Sequence, residues 1–179
     1  LPLDGYFFTG SYNTGKYIAE RVAGKLVPVG LELGGKDPMY VCDDVDVKAV
    51  AASGVEGAFY NNGQSCCAVE RIYVDEKIYD DYIAEFIDEV KKLKLGEPTA
   101  DGTFLGPLTR PQQMAVIEDQ VTDAVKKGAQ LLLGGKRPEG EGFYFEPTVL
   151  AHVDHTMNVM MDESFGPIIG IQKVKDDAE

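Results

Sequence analysis

Met39-Tyr40-Val41-Cys42, a helical pattern opening at Asp46 and closing at Asn61-Asn62-Gly63, and the β-rich run Val69-Glu70-Arg71-Ile72-Tyr73-Val74 follow one another directly. Val47, Val50, Val55 and Ala58 fall near one helix face, and Asp46 is placed to cap that helix. Strand, helix, strand is the unit from which parallel sheets are built. The same alternation extends in both directions. Asp4 to Thr9 reads as a short strand, followed by the polar pair Gly10-Ser11 and a helix ending near Gly24. Lys25 to Leu33 reads as a strand with an irregular start at Pro28. Beyond Val74, Asp75 is expected to cap a helix in which Ile78, Tyr82, Phe86 and Val90 recur every four residues. Thr109-Arg110-Pro111-Gln112 has the form of a capping box with proline in the first turn. The helix it opens carries Met114, Ile117, Val121 and Ala124 and ends at Gly128. Gln130 to Leu133, expected as a short buried strand, Phe143 to Leu150 and Ile168 to Val174 complete the strands. The fold expected is α/β, three αβα layers around a mostly parallel sheet.

Composition narrows the function. The 179 residues carry 17 basic and 30 acidic side chains, a formal charge of −13. That sign argues against a nucleic-acid or anionic-membrane partner, since both are met by clustered Lys and Arg. No apolar run approaches the roughly 20 residues that cross a bilayer. Three cysteines, two of them adjacent, make a poor disulfide framework and suit a reducing cytoplasm. They also lack zinc-site spacing, so no metal site is expected.

The residues with chemistry lie in short words. Asn61-Asn62-Gly63-Gln64-Ser65-Cys66-Cys67 puts a thiol behind a turn cluster, where it can reach solvent and act as a thiolate nucleophile. Inert packing is the competing reading, because free cysteine is often buried. Leu31-Glu32-Leu33-Gly34-Gly35-Lys36 sets a carboxylate before two glycines, which permit a sharp turn or close approach to a ligand. Gly10-Ser-Tyr-Asn-Thr-Gly15-Lys16 nearly spells a triphosphate-binding loop. Tyr17 stands where that loop needs a magnesium-binding hydroxyl. Glu163-Ser164-Phe165-Gly166-Pro167 is a further acid-bearing, glycine-proline segment.

Phe8-Thr9-Gly10-Ser11, the LELGGK segment, the GQSC segment and Glu163-Ser164-Phe165-Gly166-Pro167, in that order and separation, resemble the aldehyde dehydrogenase superfamily across essentially the whole chain. The resemblance implies oxidation of a small-molecule aldehyde to a carboxylic acid with NAD or NADP. Cys66 is then the nucleophile, since one residue, here Ser65, separates it from Gln64, and its N–H is a donor to the oxyanion. Glu32 is implied as the base that activates water for release of the acyl group, with partial burial tuning it. The two side chains are expected to share a cavity. Gly10, Ser11, Gly15 and Leu33 are implied beside the cofactor, with Glu163 at the nicotinamide ribose and Phe165 packing alongside. Cys67 is a neighbour expected to point to the opposite face of an extended backbone, and Cys42 is expected in the core.

In the family's terms residues 1–24 are the end of the cofactor-binding domain, residues 25–174 the thiol-bearing catalytic domain, and residues 175–179 a truncated tail. The resemblance further implies a longer parent that is a homo-oligomer. The alternatives are a folded but inactive fragment and, on the Gly10 to Lys16 segment, a nucleotide triphosphatase.

Overall fold

The computed structural model describes residues 2–179. Its contacts divide the chain into two compact units, one ending at Gly35 and the other spanning Lys36–Glu179.

In the first unit, β1 (Tyr6–Thr9) and β2 (Val29–Glu32) pair in parallel, with Thr9 opposite Glu32, and α1 (Tyr12–Val22) connects them. The strand expected from Lys25 is shorter than its composition suggests. Lys25 ends a 3-10 turn, and Leu26 is left-handed at φ 54° and 93% exposed. The pairing of β2 with β1 keeps both strands within the first compact unit, which ends at Gly35.

The second unit is built on a five-stranded sheet. Its strands are β3 (Pro38–Val41), β4 (Arg71–Asp75), β5 (Gln130–Leu133), β6 (Thr148–Ala151) and β7 (Ile168–Val174), and their order is β3-β4-β7-β6-β5. Every pairing is parallel except the β5–β6 edge. Helices α2 (Val47–Phe59), α3 (Tyr79–Val90), α4 (Pro111–Lys126) and the short α5 (Asn158–Met161) cover the sheet.

Strand side chains alternate between faces, and the core divides accordingly. Ile72, Val74, Val149, Ile169 and Ile171 join Phe59, Tyr82 and Phe86 of α2 and α3 on one side. Leu150 and Ile168 join Met114, Ile117 and Val121 of α4 on the other. The three-layer, mostly parallel α/β fold is as expected.

Local details depart from the sequence pattern where distant partners intervene. Asp46 caps α2 as read, accepting from the Ala49 N–H at 3.1 Å. Asp75 does not cap α3: it is buried, accepts from the Lys77 N–H at 2.9 Å, and Ile78 occupies the cap position without a side-chain bond. At α4 the N-cap is Arg110 and no side-chain cap forms, although Pro111 fills the first turn as expected. β5 is an antiparallel edge strand with two exposed residues and not a buried one. β6 is confined to Thr148–Ala151.

Phe86 anchors the α2/α3 face, fully buried, with ring centroids 5.7 Å from Tyr82 and 6.3 Å from Phe59. Phe86→Ala is expected to destabilise the second unit by about 3–5 kcal/mol through lost burial and the cavity left behind. The measurement is a shift in the urea unfolding midpoint.

Candidate active site

In the first unit, the residues singled out from the sequence gather at the carboxyl ends of β1 and β2. The Gly10 N–H donates to the Glu32 carbonyl at 2.9 Å, continuing the ladder beyond Thr9 and fixing Gly10 beside Glu32. Ser11 is the N-cap of α1. Its Oγ accepts from the Thr14 N–H at 3.4 Å and lies 3.0 Å from the Thr14 hydroxyl. Glu32 is exposed at the strand end, where partial burial is expected for a tuned base. Gly15 is buried against Leu33, and a Cβ at Gly15 would stand 2.3 Å from a Leu33 methyl. Gly15 therefore makes room for Leu33.

This geometry removes the triphosphatase alternative. A phosphate-binding loop presents free N–H groups ahead of its helix. Here α1 has already begun at Tyr12, Gly15 and Lys16 are helical, and the Gly15 N–H is spent on the Ser11 carbonyl at 3.0 Å.

In the second unit, the thiol loop enters β4 from a sequence of left-handed residues: Asn61 at φ 50°, Asn62 at φ 59° and Gly63 at φ 67°. Asparagine is among the few side chains that tolerate this region. Glycine is required at position 63, because a Cβ there would meet the Gly166 carbonyl oxygen at 2.3 Å. That close approach brings the thiol-bearing loop against the Glu163 to Pro167 segment.

Side-chain hydrogen bonds hold the loop. The Asn61 side-chain amide donates to the Gln64 carbonyl at 3.0 Å, and the Gln64 amide returns a bond to the Asn61 carbonyl at 3.2 Å. Gln64 Oε1 accepts from the Thr109 N–H at 2.9 Å, and the buried Asn62 donates to the Gly106 carbonyl at 2.6 Å. The Tyr60 hydroxyl donates to Ser65 Oγ, which also accepts from the Cys67 N–H at 3.3 Å.

Cys66 and Cys67 occupy the middle of a tight turn closed by the Ala68 N–H on the Ser65 carbonyl at 3.2 Å. The backbone is thus not extended there, and Cys67 does not point away from its neighbour. Both thiols are exposed, with their sulfurs 3.6 Å apart. Inert packing is excluded for this pair.

Cys42, expected in the core, is half-buried. Desolvation, followed by the nearby Asp177, Asp44 and Asp43 carboxylates, pushes its thiol above the ordinary cysteine value. Its thiolate form is therefore disfavoured.

Glu163 and Phe165 are half-buried in a turn whose support the sequence does not announce. Glu70, almost fully buried, accepts from the Ser164 N–H at 2.8 Å, the Phe165 N–H at 2.9 Å and the Lys36 ammonium at 2.7 Å. Lys36 also donates to Ser164 Oγ at 2.7 Å, and Ser164 donates that hydroxyl proton to Gln120 Oε1 at 2.7 Å. The Gln120 amide donates to the Asp162 and Glu163 carbonyls, both at 3.2 Å, and the Gln113 amide donates to the Ser164 carbonyl. Phe165 is held at φ 44° by this network. Burial lowers the Lys36 pKa, opposed in part by Glu70. Lys36, Glu70, Gln113 and Gln120 escape sequence reading because their partners lie up to 128 positions away. An acid within a strand-like run gives no sign of burial.

The profile of the aldehyde dehydrogenase family matches residues 3–179. The chain belongs to this family. An aldehyde dehydrogenase of Emericella nidulans is 40% identical over 180 residues, covering 100% of this chain and 36% of the relative. The glutarate-semialdehyde dehydrogenase of Pseudomonas putida is 40% identical over 172 residues, 96% of this chain and 35% of the relative. Betaine aldehyde dehydrogenase of Staphylococcus aureus, solved with NAD+, superposes with a TM-score of 0.93 at 35% identity, over 99% of this chain and 36% of that one. A 3,6-anhydro-L-galactose dehydrogenase solved with NADP gives a TM-score of 0.93 at 38% identity, over 97% and 37% of the two chains. The chain thus spans about a third of the length of the aldehyde dehydrogenases it matches.

Among the described residues no helix is long and apolar enough to cross a membrane. Nor does any group of three or more His, Cys, Asp or Glu among them offer a metal site.

Removing Glu70 leaves the Lys36 ammonium and two backbone N–H groups without their shared acceptor. Glu70→Ala is expected to cost about 3–5 kcal/mol in the second unit, the range for breaking a buried ion pair, read from urea unfolding. At neutral pH iodoacetamide is expected to alkylate Cys66 and Cys67 ahead of Cys42. Labelling of Cys42 should rise as pH is taken above the ordinary thiol range. Peptide mass spectrometry measures both.

Proposed function

We propose that this chain is the thiol-bearing part of a hydrolytic, NAD(P)-dependent aldehyde dehydrogenase, with Cys66 as nucleophile and Glu32 as the base for deacylation. The observation that carries the reading is the exposed Cys66 thiol on a turn braced against Glu163–Pro167, in a chain of this family. The Cys66 thiolate adds to the aldehyde carbon and forms a thiohemiacetal oxyanion, to which the Cys66 N–H is assigned as a donor. NAD or NADP supplies the hydride acceptor when bound. Hydride loss leaves a thioester on the Cys66 sulfur. Glu32 takes a proton from the attacking water, the carboxylic acid leaves and the thiolate is restored.

Four of the six cofactor residues suit that role by their setting. Gly10 and Ser11 are exposed at the start of α1, whose first turn has no acidic residue to repel an anion. Glu163 and Phe165 are partly exposed on a turn fixed from behind. Gly15 and Leu33 support this edge by packing on each other, and we assign them no direct contact. Residues 1–24 are read as the end of the cofactor-binding domain and residues 25–174 as the catalytic domain of a homo-oligomeric protein of the cytoplasm.

The decisive experiment uses the full-length protein with an aldehyde panel and both cofactors. Cys66→Ser is expected to abolish acid formation. Glu32→Gln is expected to retain a single-turnover burst of NADH and to stall afterwards. Absence of that burst in Glu32→Gln would contradict the division of labour.

A second reading, a folded fragment without activity of its own, is favoured by Phe7 at 84% and Leu26 at 93% exposure in the first unit. Under it the 179-residue chain binds NAD weakly or undetectably by calorimetry, while the full-length protein binds it.

A further inference from the structure

The two neighbouring thiols have a chemistry that aldehyde oxidation does not use. Cys66 and Cys67 are both exposed, their sulfurs lie 3.6 Å apart, and the turn that presents them is pinned by Ser65 and by the Gln64 and Asn61 side chains. Convergent thiols invite either a direct bond or a bridging atom.

Geometry separates the two options. A disulfide brings its sulfurs to about 2.05 Å and holds its Cα atoms roughly 4.4–6.8 Å apart. Adjacent Cα atoms across a trans peptide are only about 3.8 Å apart, so closing this pair strains the ring and makes the bond easily reduced. An atom inserted between the sulfurs needs no such closure. A zinc ion prefers four ligands, and the turn offers two. A monosubstituted trivalent arsenic centre needs two sulfur bonds, its third valence being held by its own carbon.

We propose that Cys66 and Cys67 form a two-point site for organoarsenicals of the type RAs(OH)2, the arsenic bridging both sulfurs. Two S–H and two As–OH bonds break, two As–S bonds form and two waters leave, with no change of oxidation state. The second sulfur acts at high effective concentration, so the chelate outlasts any adduct of one thiol. Cys42, half-buried among carboxylates and apart from the turn, is an internal control. The binding chemistry is independent of the proposed function. Loss of turnover on binding rests on it, because the bridge would occupy the Cys66 sulfur.

The test is a titration of the reduced 179-residue chain with phenylarsine oxide, followed by intact mass spectrometry in the presence of excess glutathione. One phenylarsenic adduct per chain is expected, stable to glutathione and stripped by 2,3-dimercaptopropanol. Cys66→Ser and Cys67→Ser should each weaken binding by about 100-fold or more, and Cys42→Ser should leave it unchanged. Both thiols are exposed, so these substitutions leave the core intact. Binding that survives Cys67→Ser undiminished, or that disappears in Cys42→Ser, would overturn the proposal. So would a Cys66–Cys67 disulfide persisting in protein prepared under glutathione. A tight adduct in a full-length protein that oxidises no aldehyde would remove the proposed function and leave the dithiol site standing.

Discussion

A single buried carboxylate organises the second unit's functional edge. Glu70 collects two backbone N–H groups and an ammonium within hydrogen-bonding distance. Burying a charge without partners is costly, and a pair repays that cost only when its remaining donors and acceptors are met. Here they are met in a chain from Lys36 through Ser164 to Gln120. The network does not need to add stability to matter. Its geometry specifies one backbone path for Ser164 and Phe165, including a left-handed residue that a bulky side chain otherwise avoids.

The location of that edge follows from which loops the network joins. Lys36 lies just before β3, Glu70 just before β4, and the Glu163–Pro167 turn just before β7. These three strands are adjacent and parallel, so their amino ends lie on one side of the sheet. The usual ligand site of an open parallel sheet lies at the carboxyl ends. In the first unit the candidate residues lie at that end, with Gly10 and Ser11 following β1 and Glu32 closing β2. In the second unit the candidate residues lie at the opposite, amino end, and the Cys66 turn belongs there because it feeds β4.

Legibility from sequence tracks the distance over which each feature is decided. β7 at Ile168–Val174 and the Asp46 cap are legible because a local apolar run and a single side-chain bond determine them. The same logic misleads at Asp75 and Thr109, whose residue types suit a cap but whose side chains do not make one. β6 is shorter than its composition because residues 143–147 are in loop, where the Phe143 carbonyl accepts from Leu108 and Glu146 donates to Lys136. Cys66 and the Glu163–Pro167 segment are legible as motifs. The Lys36–Glu70–Ser164–Gln120 chain that holds them is not, since its members are ordinary polar residues whose meaning arises only on folding. The Cys66–Cys67 turn is hidden for another reason. A β-rich run downstream suggests extension, whereas Ser65 closes a turn first.

An exposed thiol and a fixed thiol make opposing demands on the chain. Exposure removes the packing that normally immobilises a side chain, so order must come from the backbone. Asn61 and Asn62 are both left-handed, and residues in such regions cost on the order of 1–3 kcal/mol each when nothing local relieves them. Relief comes from side-chain bonds within the loop and from Gln64 to Thr109. The Gly63–Gly166 contact then removes the freedom to swing back, because no other residue fits at that separation. Rigidity of the turn is thus inherited from Glu70 at one remove: Glu70 fixes Phe165, Phe165 positions Gly166, and Gly166 limits Gly63. A thiol held in this way can stay in solvent and still meet an incoming carbon along a defined direction, as covalent catalysis requires of its nucleophile.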